Sequence, residues 1–303
     1  MQGSITDVPG VAVGHWSDLQ ALTGCTVVVL PEPNVVAVET RGGAPGSRET
    51  ALLAPGMRVQ QAQAILLTGG SAFGLAAADG VMGELESQGR GHATLAGAVP
   101  IVPAAVIFDL MEGDGSVRPG AAQGVAAFRA ANRSPVVSGR VGAGTGATAA
   151  KWRGPGTRVA CGLGSASVRG HGVTVGALVV ANPVGDVFTL EGEPLTGGTP
   201  VPGPPAALPA DVASSDAPSD LENTTLAVVA TDASLTREEL VRLAVRCQDA
   251  YSVCIRPTHT AFDGDTCFTV SCGGTVVPPE LVAELAFEAT GRAIEAAARA
   301  AVA

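Results

Sequence analysis

PSDLENTTLAVVATDASLTREEL, residues 218–240, holds the key to this chain. Up to Asn223 it reads as a slack polar connector. From Thr224 it becomes TTLAVVAT (224–231), a short, valine-rich apolar run of the kind that forms a strand covered on both faces. Thr236 and Glu239 then stand three apart ahead of LVRLAVRCQDA, the spacing of a capping box that opens a helix. A buried strand thus begins abruptly, on two hydroxyl residues, far along the chain.

The connector itself spans 192–223 and carries seven of the chain's 21 prolines. Such a composition buries too little apolar surface to order itself. A linker between domains is one reading. Only about 80 residues follow it, however, which suits the completion of one layered domain better than a second domain. The expectation is a single domain over 1–303 with a loose excursion at 192–223.

Working outward, further strand-like runs recur: CTVVVL (25–30), VVAVET (35–40), AILL (64–67), VPIVPAAVIF (99–108), VTVGALVVA (173–181), DVFTL (186–190) and TCFTVS (266–271). Helices are expected between them. Ser71 is placed as the cap of a helix ending at Gly89, Pro119 in the first turn of another, and Pro279–Ala301 as an alanine-rich third with Leu281, Val282, Leu285 and Ile294 inward. Strands and helices come in runs rather than strict alternation, which predicts an α+β fold with sheets sandwiched between helices.

Composition narrows the function. The 303 residues are 46% hydrophobic and 15% charged, with a net charge of -10 and no basic cluster. An acidic surface repels phosphate backbones and anionic membranes, so neither is an expected partner. The start, MQGSITDVPGV, lacks the pattern of a signal peptide, and no run reaches the ~18 apolar residues of a membrane span. The six cysteines include no Cys-x-x-Cys pair and read as buried thiols of a cytoplasmic protein, with no metal or cofactor implied. Against 17 arginines stands one lysine, Lys151. Its compact ammonium can shift its pKa on burial, as guanidinium cannot.

The junction suits self-cleavage. The Thr224 hydroxyl could attack the Asn223 carbonyl to give an ester that water opens. Thr224 would then carry both a nucleophile and an α-amine of reference pKa near ~8, able to serve as its base. Equally, NTT could merely open a strand, since threonine favours strands. Three other stretches supply candidates. FDGDT places Asp263 and Asp265 either side of Gly264, where two carboxylates can orient a nucleophile or share a proton. In VVANPVGDV, Asn182 could donate its amide to an oxyanion. In GAGTGATAAKW, Lys151 follows a glycine-rich turn. GAGTGA and LLTGGSAFG also invite a nucleotide-binding reading, though neither completes a phosphate-loop motif. His259 lies near the aspartates and could line a pocket or simply pack.

Taken together, TDVPGVAVGHW, ETRGGAPGSRET, LLTGGSAFGLAAADGV, VPIVPAAVIFDL, GAGTGATAAKW, VVANPVGDV, NTTLAVVATDASLT and FDGDT resemble the P1 family peptidases. These include L-aminopeptidase/D-esterase and the β-peptidyl aminopeptidases, and the chain is most similar to their nylon-oligomer (6-aminohexanoate oligomer) endo-hydrolase branch. The resemblance implies a four-layer α-β-β-α sandwich and cleavage between Asn223 and Thr224 into chains 1–223 and 224–303. It implies Thr224 as nucleophile, ringed by Lys151, Asn182, Asp263 and Asp265, with Asn182 steadying the oxyanion. It further implies action on short peptides or ω-amino-acid oligomers and a homo-oligomer, expected to be a tetramer. Position 108 departs from the family pattern: Phe108 replaces a tyrosine and removes a hydroxyl from the expected pocket. Two rival readings are an acyl transfer like that of the glutamate/ornithine acetyltransferases, and a nucleotide-binding protein with an intact chain.

Overall fold

The computed structural model describes residues 3–154, 156–198 and 223–301. In chain order its main strands are β1 (Ala12–Asp18), β2 (Thr23–Val29), β3 (Val35–Thr40), β4 (Ser47–Arg48), β5 (Ala64–Thr68) and β6 (Ala104–Val106), then β7 (Leu163–Gly170), β8 (Val173–Asn182), β9 (Thr224–Ala233) and β10 (Thr266–Thr275). The helices are α1 (Ala77–Ser87), α2 (Ala121–Arg129), α3 (Arg237–Cys254) and α4 (Pro279–Ala301). One sheet runs β1-β2-β5-β6-β4 and the other β7-β8-β9-β10-β3.

Alternation along the strands builds the layers. Val28, Ile65 and Leu67 of the first sheet meet Leu178, Val180, Leu226, Val228 and Phe268 of the second in one core between the sheets. The intervening residues face the other way: Val27, Ala64 and Leu66 pack under α1 and α2, while Ala177, Val179, Ala227 and Val229 pack under α3 and α4. Both faces of every central strand are therefore buried, which is why these strands read as continuous apolar runs. The result is a four-layer α-β-β-α sandwich, as the resemblance implied.

Two pairings position the junction. β8 runs antiparallel to β9 with Asn182 opposite Thr224. β9 runs parallel to β10 with Leu226 opposite Thr266. The C-terminal end of β8 and the N-terminal ends of β9 and β10 therefore meet at one end of the second sheet.

Several expectations need correction. Ser71 does not cap a helix: Gly70, in the left-handed region, precedes a 3-10 turn over Ser71–Ala76, and α1 begins only at Ala77. Pro119 stands outside α2, whose first turn is closed by the Gln123 side chain accepting from Gly120 N at 3.0 Å. The run 99–108 contributes only Ala104–Val106 to the sheet, and 186–190 only a two-residue strand at Asp186–Val187. The first residues of the connector, 192–198, have a defined place, because Val187 N bonds Thr196 Oγ1 at 2.8 Å and Leu195 N bonds the Val187 carbonyl at 2.8 Å. Residues 199–222 lie outside the described ones. The capping box at Thr236 and Glu239 and the bounds of α4 agree with the sequence reading. All six cysteines are free thiols.

Candidate active site

Thr224 opens β9 and is 4% exposed. Its Oγ1 lies against the carbonyl oxygen of Asn223, the residue before it. That same carbonyl accepts from Gly264 N at 2.8 Å, and Asn223 N donates to the Phe262 carbonyl at 3.0 Å. The chain before β9 thus runs beside the FDGDT loop before β10. Gly264 is needed there: a Cβ would fall 2.7 Å from Thr224 Oγ1 and 2.8 Å from the Ala44 carbonyl oxygen. The loop after β3 clamps this one from outside, with Arg41 N on the Asp265 carbonyl at 3.0 Å and Ala44 N on the Asp263 carbonyl at 2.9 Å. Gly42 sits so close that a Cβ would meet the Asp263 carbonyl oxygen at 2.0 Å, which accounts for ETRGGAPG.

Lys151 enters from the other side. Ala150, at φ 65°, turns the chain into a short 3-10 helix that buries the lysine. Its Nζ donates to Asn182 Oδ1 at 2.9 Å and to Asn223 Oδ1 at 2.6 Å. Thr148 N also donates to Asn182 Oδ1, at 2.9 Å. The Thr148 backbone N–H can only donate, so it fixes the Asn182 amide with its NH2 turned the other way. That NH2 donates to the Phe108 carbonyl at 3.2 Å. Phe108 therefore reaches the site through its backbone. Burial is the main force lowering the Lys151 pKa from 10.5 to about 7, with Glu112 opposing. The lone lysine thus changes protonation near neutral pH.

The two aspartates are held differently. Asp263 Oδ2 accepts from Thr260 N at 2.9 Å and Thr260 Oγ1 at 2.6 Å, and Oδ1 from Val184 N at 3.3 Å. Burial, and then the neighbouring Asp265 charge, raises its pKa to about 6. Asp265 Oδ1 accepts from Thr225 N at 2.7 Å, tying it to the strand just past Thr224. Its Oδ2 gathers Thr258 Oγ1 at 3.1 Å, His259 N at 3.1 Å and His259 Nδ1 at 2.9 Å. His259 is stacked on Tyr251, ring centroids 6.0 Å apart. It is thus a partner of Asp265 more than a wall of a pocket.

The sequence reading missed Thr148, which serves the site through a long-range contact, and Thr258 and Thr260, which hold the aspartates from within the same loop. It also left the glycine loops open. Gly69 and Gly70 cradle a carboxylate of the protein's own: Gly70 N donates to Asp109 Oδ1 at 2.7 Å, and a Cβ on Gly69 would fall 2.0 Å from Asp109 Oδ2. In GAGTGA, Gly142 N bonds Ser17 Oγ at 2.7 Å and Ala143 N bonds Thr26 Oγ1 at 3.0 Å. The amides that a phosphate would need are spent internally.

This architecture is similar to that of solved structures described under the Ntn hydrolase fold. The L-aminopeptidase D-Ala-esterase/amidase of Ochrobactrum anthropi, described as a variant of that fold, aligns at a TM-score of 0.76 with 21% identity, over 99% of this chain and 88% of its own. The chain belongs to peptidase family S58, whose pattern matches residues 3–303. An uncharacterized aminopeptidase of Mycobacterium leprae is 45% identical over 89% of this chain and 78% of its own length. The 6-aminohexanoate-oligomer endohydrolase of an Agromyces species is 33% identical over 88% of this chain and 74% of its own. The protein is accordingly an enzyme that hydrolyses peptide or amide bonds. Among the described residues, no helix is long and apolar enough to cross a membrane.

Proposed function

We propose that this hydrolase matures by cutting its own backbone between Asn223 and Thr224 and then uses Thr224 as an N-terminal nucleophile. The observation that carries this reading is the contact of Thr224 Oγ1 with the Asn223 carbonyl, whose oxygen is already polarised by Gly264 N–H at 2.8 Å. In self-cleavage, Thr224 Oγ attacks the Asn223 carbonyl carbon and the Asn223–Thr224 C–N bond breaks. The hydroxyl proton ends on the new α-amine. Water then opens the ester to an Asn223 carboxylate and a free Thr224 hydroxyl.

In turnover the Thr224 α-amine takes the hydroxyl proton as Oγ attacks the substrate carbonyl, and gives a proton to the departing amine. Water deacylates the resulting threonyl ester. Asn182, whose amide orientation is fixed by Thr148 N–H, donates to the oxyanion beside Gly264 N–H. Lys151 sets the charge of the pocket. Asp265 holds the strand through Thr225 N, and Asp263, paired with Asn223 along the backbone, would offer the new ammonium a counter-charge. The substrates in this reading are short peptides or ω-amino-acid oligomers, the former supported by the 45%-identical uncharacterized aminopeptidase and the latter by the 33%-identical 6-aminohexanoate-oligomer endohydrolase. Self-association as a homotetramer belongs to the same reading and is checked by light scattering.

The test is denaturing mass spectrometry with N-terminal sequencing. Fragments 1–223 and 224–303 are expected, the smaller starting at Thr224, while Thr224→Ala stays a single chain. A small fragment starting at Thr225 would move the nucleophile by one residue. An active enzyme of unbroken chain would end the proposal.

A further inference from the structure

The uncut chain contains its own acyl group in place. If Thr224 is the nucleophile, as the preceding reading has it, then Asn223 occupies the position that the acyl residue of a substrate takes during turnover. Asn223 is gripped at three points. Its N–H donates to the Phe262 carbonyl at 3.0 Å, its carbonyl accepts from Gly264 N at 2.8 Å, and its side-chain Oδ1 accepts from Lys151 Nζ at 2.6 Å. The first two contacts engage the main chain of any residue. The third reads a side chain.

We infer that Lys151 is a specificity residue: it selects an acyl residue of L configuration with a hydrogen-bond acceptor at the γ position, that is, an asparaginyl or aspartyl amide. Lys151 is 5% exposed with Asn223 in place, so its Nζ faces the side chain of residue 223 rather than solvent. Once residue 223 leaves, its Nζ retains Asn182 Oδ1 and has lost an acceptor 2.6 Å away. A leucyl group has the same branching and heavy-atom count as an asparaginyl group but no acceptor, and it would leave a buried donor unmatched. A site built around a polar group rejects the isostere lacking it far better than an apolar site rejects an added polar group. Three contacts around one Cα also fix its handedness, because a D residue presenting N–H and C=O to Phe262 and Gly264 turns its side chain away from Lys151.

The first test uses the mature wild-type enzyme with free and N-acetylated p-nitroanilides of L-Asn, L-Leu and D-Asn. We expect kcat/KM for L-Asn to exceed that for L-Leu and D-Asn by at least about ten-fold. Equal or better turnover of L-Leu overturns the inference and leaves the Thr224 mechanism standing. The second test reads the uncut chain and needs no added substrate. Asn223→Leu should process at least about ten-fold more slowly than wild type, and Asn223→Asp within a few-fold of it. Asn223→Leu processing at the wild-type rate overturns the inference. A wild-type chain that never cuts sinks instead the reading on which it rests.

Discussion

Gly264→Ala should stall self-cleavage without unfolding the protein. The new Cβ would lie 2.7 Å from Thr224 Oγ1, 2.8 Å from the Ala44 carbonyl oxygen and 3.2 Å from Pro45 Cα. Ordinary contact starts near 3.4 Å, so something must give by about 0.7 Å. The Ala44 side cannot yield cheaply, because Ala44 N is bonded to the Asp263 carbonyl at 2.9 Å and Gly43 N to the Thr260 carbonyl at 3.1 Å. What moves is the Thr224 hydroxyl or the backbone of residue 264, whose N–H polarises the Asn223 carbonyl. Either displaces a reacting group. A misplacement of ~1 Å in a positioned reaction costs on the order of 100-fold, so the half-time of cutting should lengthen roughly 30- to 100-fold. Overpacking should cost about 1–3 kcal/mol of stability as well, well short of unfolding a domain of this size. The assay is a time course of freshly purified protein on denaturing gels and by mass spectrometry, with circular dichroism to verify folding. Gly274→Ala, on the strand that follows this loop with nothing within 4 Å of its Cβ, is the control and should cut normally. A folded Gly264→Ala chain that cuts at the wild-type rate would refute the placement of Thr224 beneath that loop.

Two further outcomes follow from the electrostatics. Burial lowers the Lys151 pKa from 10.5 to about 7, so between these values the unfolded chain holds a proton that the folded one has shed, and stability should rise with pH across the window. On a Thr224→Ala background, the melting temperature relative to Thr224→Ala/Lys151→Met should therefore climb from pH 7 to 8.5; a constant difference would contradict the burial of a titrating lysine. Asp265→Asn replaces a charged acceptor of Thr225 N, Thr258 Oγ1 and His259 with an amide, and should cost about 1–3 kcal/mol in urea unfolding together with slower cutting; unchanged stability and rate would relieve Asp265 of any part in holding the site.

What could be read from the sequence depended on which contacts were local. TTLAVVAT and VTVGALVVA announced themselves because a strand buried on both faces carries apolar residues throughout. β7, LGSASVRG, did not, because its small residues answer to a distant helix: a Cβ on Gly164 would meet the Ala293 carbonyl oxygen at 2.1 Å. The polar alternation of β1, AVGHWSD, hid an edge strand in the same way. Thr224, Asn182, Lys151, Asp263 and Asp265 were all named beforehand, and the structure brings them to one end of one sheet. The role of His259 was out of reach, since its bond to Asp265 depends on a left-handed backbone at φ 55°. So was Asp109, which fills the Gly69–Gly70 cradle from 39 residues away.

The order of strands in the second sheet constrains the order of events in the molecule's life. β9 and β10 are its middle members, flanked by β8 on one side and β3 on the other. A break before Thr224 would free neither piece, since each supplies walls to the other's interior. On the proposed self-cleavage, translation as one polypeptide would be the template for an interlocked pair, and the incision would follow folding rather than precede it.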